Sequence, residues 1–202
     1  MTSAAPSESE LAGVVLAAGH SRRMGLSKLT LPWTEGRTII EAVVAALRGG
    51  GLRRILVVVG GDRQEVEAAV ARSQVELVEN PSFAEGEMLS SIQAGLRALG
   101  DLPAAALITP GDLPAMRPAT VQAVVKAWET ARDAICAPAY GGRRGHPVLL
   151  PRRVWPEVLA LPSGQSLRDY LRLRIDDIQV VEVDDPGIHA DVDTPQDYRA
   201  TR

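Results

Sequence analysis

From residue 13 to about residue 138, short apolar runs alternate with longer stretches whose apolar positions recur every three to four residues. The first run is GVVLAAG at 13–19. The next, RILVVVGG at 54–61, is continuous and β-branched, as a strand buried on both faces requires. Between them, 38–48 carries Ile39, Val43, Ala46 and Leu47 at helical spacing and stops at Gly49-Gly50-Gly51. Asp62 reads as the N-cap of a helix running to about Ala71. Further strands are predicted at 75–78, 104–109 and 134–138. Helices are predicted at 88–99 and along the stretch that holds Val121, Val124, Val125 and Trp128. Such an alternation predicts a parallel sheet covered by helices on both faces. After residue 139 the pattern changes. YGGRRGHPVLL at 140–150 reads as a hairpin or strand entered through glycines, followed by short helical pieces around 151–160 and 164–174 and a strand at 178–183. The chain then closes in a loop and a helix start, with Thr194 as cap and Pro195 in the first turn. The fold class expected is α/β, a Rossmann-like three-layer α/β/α sandwich with a mostly parallel sheet.

Composition narrows this picture. At 202 residues and 46% apolar, the chain is expected to form one domain over 1–202, with 1–11 as a disordered N-terminal tail. Its 22 basic and 25 acidic residues give a net charge of −3, which argues against nucleic acid and polybasic membrane surfaces as partners. One cysteine, Cys136 in the apolar stretch AICAPA, permits neither an internal disulfide nor a thiolate metal cluster. The start, MTSAAPSESE, is polar and acidic, unlike a signal peptide, and no apolar run approaches the roughly 20 residues of a membrane helix. A cytoplasmic location is expected. Only two of the basic residues are lysines, Lys28 and Lys126. A lysine kept in so arginine-rich a chain points to a place where a compact ammonium is wanted and a planar guanidinium does not fit.

Three segments could carry chemistry. In LAAGHSRRMGLSK at 16–28, a strand ends and turns through Gly19 into a loop bearing Arg22, Arg23 and Lys28. At the carboxyl edge of an open sheet, backbone N–H groups freed by glycine and three cations could hold phosphates, although solvated arginines in a turn would look the same. The spacing is neither that of a Walker A loop nor that of a dinucleotide fingerprint. PGDLP at 110–114 puts Asp112 directly after a strand, as a metal-binding carboxylate or as the cap of a helix beginning near Arg117. In DVDTPQDY at 191–198, either Asp191 or Asp193 could be a second magnesium ligand, or Asp193 could simply start a helix. A basic glycine loop with two separated carboxylates is the set of parts needed for magnesium-assisted phosphoryl or nucleotidyl transfer.

In this order, and along nearly the whole chain, the three segments resemble the MobA-like nucleotidyltransferase family. The first matches L-A-[AG]-G-x-S-x-R-M-G-x-x-K at every fixed position, the second G-D-x-P, and the third [DN]-x-[DN]-T-P-x-[DE]. NPSFAEGEMLSS at 80–91, RRGHPVLL at 143–150 and Ala18 are most similar to the molybdenum cofactor cytidylyltransferase branch. The resemblance implies that the backbone of Leu16, Ala17, Ala18 and Gly19 holds base and ribose, with Arg23 and Lys28 on the triphosphate. It implies Asn80, Ser90 and Ser91 near the nucleoside, Asp112 and Asp193 on Mg2+, and Arg144, Gly145 and His146 facing the acceptor. Arg23, Lys28 and Asp112 would be the catalytic residues. The terminal phosphate of molybdopterin would attack the α-phosphorus of CTP and expel pyrophosphate. A phosphate is already anionic near neutral pH, so no general base is needed, and positioning and charge neutralisation carry the catalysis. A molybdenum hydroxylase could receive the product.

Two departures from that branch bear on the acceptor. Glu87 stands between Gly86 and Met88 where the branch has no residue, and SGQSLR at 163–168 replaces a G-D-x-G-A-R element, keeping Gly164 and Arg168. Alternatives therefore stay open: GTP-dependent guanylyl transfer, cytidylyl transfer to methylerythritol phosphate or a sugar phosphate, or a non-catalytic cofactor carrier. Against the methylerythritol enzymes, Lys28 is flanked by Ser27 and Leu29 and not by Pro and Gln.

Overall fold

The computed structural model describes residues 11–19, 27–85 and 88–201. Eight strands form one sheet: β1 (Leu11–Ala17), β2 (Arg54–Val59), β3 (Glu76–Glu79), β4 (Ala105–Pro110), β5 (Ile135–Tyr140), β6 (Arg143–Arg144), β7 (Val148–Pro151) and β8 (Ile178–Glu182). Their order is β3-β2-β1-β4-β7-β5-β6, with β8 also paired to β5. The pairs β1–β2, β1–β4, β2–β3 and β5–β8 are parallel, whereas β7 runs antiparallel between β4 and β5. Leu11, expected in a disordered tail, is the first residue of β1 and is buried: it pairs with Ala105 and adds an apolar rung to the sheet.

Strict alternation along the central strands sorts their side chains between two cores. Val15, Ala17, Ile55, Val57 and Leu107 face helices α1 (Ile39–Gly49), α2 (Arg63–Val70) and α4 (Pro118–Thr130). Val14, Leu16, Leu56, Val58 and Ile108 face α3 (Met88–Leu99), α5 (Trp155–Ala160) and α6 (Leu167–Arg172). The last helix, α7 (Pro195–Thr201), lays Tyr198 against the first core, its ring 6.1 Å from that of Trp33. This is the three-layer arrangement expected from the alternation. The tryptophans are structural anchors: Trp128 Nε1 donates to the Arg132 carbonyl at 2.8 Å and Trp155 Nε1 to the Leu150 carbonyl at 3.0 Å. Cys136 is fully buried, and burial pushes its thiol up to about 11, which keeps it neutral and unreactive.

Two helix starts differ in how they are capped. Thr194 behaves as expected: Asp197 N–H donates to its hydroxyl at 3.2 Å, and the Asp197 carboxylate accepts from Thr194 N–H at 2.7 Å. Asp62 does occupy the N-cap position of α2, but its side chain makes no capping hydrogen bond.

Candidate active site

Strand β1 lies between β2 and β4, so the chain reverses its direction of travel across the sheet at the β1–β4 boundary. Crevices for ligands open outside the carboxyl ends of strands at such switch points. There Gly111 N–H donates to the Leu16 carbonyl at 2.9 Å, and Gly61 N–H donates to the Ala18 carbonyl at 3.2 Å. Leu16 and Ala17 are the last two residues of β1, Ala18 is buried just beyond it, and Gly19 is exposed. Arg23, together with the rest of 20–26, lies outside the described residues.

Lys28, Asp112 and Asp193 meet at this edge. Lys28 Nζ donates to Asp112 Oδ2 at 2.6 Å and to Asp193 Oδ1 at 2.7 Å, across 84 and 165 residues of chain. Burial disfavours the ammonium, but the two carboxylates outweigh it and hold the Lys28 pKa above its usual value. Lys126, by contrast, sits exposed on α4. The helix starts near Asp112 and Asp193 are capped by other side chains. The cap of α4 comes from Asp185, whose carboxylate accepts from Arg117 N–H at 2.9 Å, and the start of α7 is capped by Thr194. Asp112 and Asp193 instead turn toward the lysine. Asp191 is raised in pKa, by partial burial first and then by the neighbouring Asp193 and Asp112 charges.

The donor set suits a hard divalent cation. A cation, the Lys28 ammonium, already stands within 2.7 Å of both carboxylates, and both offer oxygen ligands. Among the described residues no group of three His, Cys, Asp or Glu side chains is arranged to hold a metal. Asp112 and Asp193 are the two carboxylates that could hold such a cation, with its remaining positions left to water and phosphates.

A cleft of about 1010 Å³ opens from these carboxylates, at the upper end of the range for small-molecule sites. Asp112, Asp191 and Asp193 line it together with Arg144, Gly145 and His146, the three residues expected to face an acceptor. His146 Nδ1 is buried without a hydrogen-bond partner among the described residues, and burial lowers its pKa, so the imidazole is neutral. Gly164 and Arg168, all that remains of the replaced element, also line the cleft, as do Arg143 and Arg172. Sequence reading passed over Arg143 and Arg172: in a chain with 20 arginines, composition carries no signal for those that face a cleft.

Asn80, Ser90 and Ser91 are brought together, but toward one another. Asn80 Nδ2 donates to the Ser90 and Ser91 hydroxyls at 2.9 and 3.0 Å, and its oxygen accepts from Ser82 N–H at 3.0 Å. This knot ties the end of β3 to the start of α3. Gly86 and Glu87, where the extra residue falls, lie outside the described residues.

Comparison with known proteins places the sequence and the fold. The sequence profile of a family described as "MobA-like NTP transferase domain" matches residues 13–181. The molybdenum cofactor cytidylyltransferase of Escherichia coli is 30% identical over 186 residues, covering 92% of each chain. The nicotine blue oxidoreductase of Paenarthrobacter nicotinovorans is also 30% identical, covering 93% of this chain and 94% of its own. Among solved structures, the Mycobacterium tuberculosis protein Rv0371c superposes with a TM-score of 0.82 at 26% identity, covering 96% of this chain and 98% of its own. The same protein has been solved in complex with manganese. No described helix is long and apolar enough to cross a membrane.

Proposed function

The chain belongs to the MobA-like NTP transferase family and is a nucleotidyltransferase; from that premise we propose that it moves CMP from CTP onto the terminal phosphate of molybdopterin and releases pyrophosphate. The carrying observation is the convergence of Lys28, Asp112 and Asp193 at the mouth of a cleft whose lining also holds Arg144, Gly145 and His146. The reading takes the chain as a single domain acting in the cytoplasm.

In this reaction the Leu16–Gly19 backbone holds the base and ribose, with Ala18 against the base. The Asn80–Ser90–Ser91 knot shapes the nucleoside side, and Arg23 and Lys28 lie along the triphosphate. Asp112 and Asp193 would hold Mg2+, which when bound supplies charge neutralisation to the phosphates. Lys28 is held at the two carboxylates without nucleotide, and its ammonium would pass from them to the triphosphate, where it offsets the charge that develops on the leaving pyrophosphate. On the acceptor side, Arg144 attracts the attacking phosphate. The neutral His146 does not compete with the arginines for that charge and is suited to hydrogen bonding. No side chain has to remove a proton, because the nucleophile arrives ionised.

The test is pyrophosphate release from each of the four NTPs with molybdopterin and Mg2+. CTP is expected to support release, and Asp112→Asn to abolish it while the protein stays folded. Preference for GTP would overturn the role of Ala18, and release with a sugar phosphate or methylerythritol phosphate alone would replace the acceptor. Silence with every nucleotide would overturn the enzyme reading. It would favour a cofactor carrier, or the oxidoreductase activity that the name of one equally similar relative states.

A further inference from the structure

A loop of the chain, residues 185–192, crosses the site like a strap, and its first residue is a buried aspartate. Asp185 is only 2% exposed, and such a carboxylate is costly unless its oxygens are satisfied. They are. Oδ2 accepts from Arg117 N–H at 2.9 Å and from the Thr120 hydroxyl at 2.6 Å, while Oδ1 accepts from Gly187 N–H at 2.9 Å. The Arg117 guanidinium also donates to the Asp184 carbonyl at 2.6 Å. Asp185 therefore caps α4 from 68 residues away, at a helix whose own N-cap residue, Arg117, makes no side-chain cap. A Ser, Thr or Asn at 117 could cap the helix locally, but it would leave the strap unattached.

The rest of the strap runs from this anchor to the paired carboxylates. At Gly187 a Cβ would stand 2.3 Å from the Ala115 carbonyl oxygen, so the strap lies directly on the turn that follows Asp112. At Gly145 a Cβ would stand 2.6 Å from the Ile188 carbonyl oxygen, which also accepts from His146 N–H at 3.3 Å. Farther along, Val192 N–H donates to the Asp112 carbonyl at 3.0 Å, one residue before Asp193.

We propose that Asp185 is a positioning residue: by fixing the strap to the start of α4, it sets where Asp193 stands relative to Asp112, and with them the acceptor turn at 145–146. Its effect on turnover rests on the nucleotidyl-transfer reading. Its effect on the strap does not.

The experiment compares Asp185→Asn, which keeps the shape but puts an amide donor against N–H groups, with the milder Thr120→Val. Val124→Ala, in the core face of the same helix, serves as a control for plain loss of stability. Three quantities are read: Mn2+ affinity by electron paramagnetic resonance, kcat against KM for CTP, and hydrogen exchange at the Val192 amide. Asp185→Asn should weaken Mn2+ binding about tenfold and lower kcat by about as much, the range seen when partners that orient metal ligands are removed. KM for CTP should move less than about threefold, and Val192 should exchange about tenfold faster. Thr120→Val should shift the same quantities about threefold, and it serves in place of Asp185→Asn should that variant not fold. Val124→Ala should lower Tm and leave Mn2+ affinity and Val192 exchange unchanged. Unchanged Mn2+ affinity and Val192 protection in Asp185→Asn, or equal losses in Val124→Ala, would overturn the proposal. Should the parent protein release no pyrophosphate and bind no Mn2+, the function proposed above falls, and Val192 exchange alone still decides the role of Asp185.

Discussion

Lys28 stands 2.6 Å from Asp112 and 2.7 Å from Asp193, so its ammonium neutralises in advance the charge that a metal would meet there. Lysine and metal therefore compete for the same oxygens until phosphate draws the lysine away. Lys28→Met should bind Mn2+ more tightly than the parent when nucleotide is absent, by titration, yet lose about 100-fold in kcat, the usual scale for removing one preorganised charge donor. Lys28→Arg keeps the charge but brings a planar fork to a gap shaped for a point charge, and pyrophosphate release should fall at least about tenfold. Asp191 and Asp193 should separate in the same assay. Asp193→Asn removes a carboxylate that Lys28 holds and should cost about 100-fold in kcat. Asp191 has its pKa raised by burial and by two neighbouring carboxylates, so the folded chain binds its proton more readily than the unfolded chain does. Stability accordingly falls as pH rises from the ordinary value of 3.8 through the raised one, and above that the ionised group remains a cost. Asp191→Asn should relieve it at neutral pH, by a small amount because the side chain is largely open to solvent. A small rise in Tm and little loss of turnover are the expected readings.

Helix α3 packs so closely on the sheet that a Cβ at Gly95 would stand 2.5 Å from Val14 Cγ1. Gly95→Ala must push the helix from β1, and overpacking of this kind should destabilise by ~1–3 kcal/mol in denaturant titration. The same helix begins at the Asn80–Ser90–Ser91 knot, so its position also fixes one side of the site. At the other end of the chain, the Thr194–Asp197 box starts α7, and Tyr198 on that helix donates its hydroxyl to the Pro32 carbonyl. Removing the cap with Thr194→Ala should cost ~1 kcal/mol. Because Asp193 immediately precedes the cap, the loss should also weaken Mn2+ binding.

Across the chain as a unit, nucleotide binding should register as stability. CTP with Mg2+ at 100 times its Kd should add ~2.7 kcal/mol, or roughly 5–10 °C in Tm for a domain of this size. The shift should vanish in Asp112→Asn, and differential scanning fluorimetry reads both. The order of elements was legible without coordinates because burial on both faces of a sheet forces unbroken apolar runs such as 55–59, and helix faces force the spacing seen in 39–47. The turn that places an aspartate after β4 and the capped start of α7 were legible for a related reason: each is a local pattern of charge, glycine or proline that one short segment completes by itself. The cap of α4 was not, because its donors and acceptor lie 65 or more residues apart and the second aspartate of DDPG carries no sign of what it will touch. Nor could local pattern show that Asn80 would spend its amide on two serines, or which arginines would line the cleft. Periodicity and turn chemistry act within a few residues along the chain, so they are written in it. Contacts between segments far apart exist only once β1, β4 and the 185–192 strap are packed, and it is packing that brings Lys28, Asp112 and Asp193 to a single point.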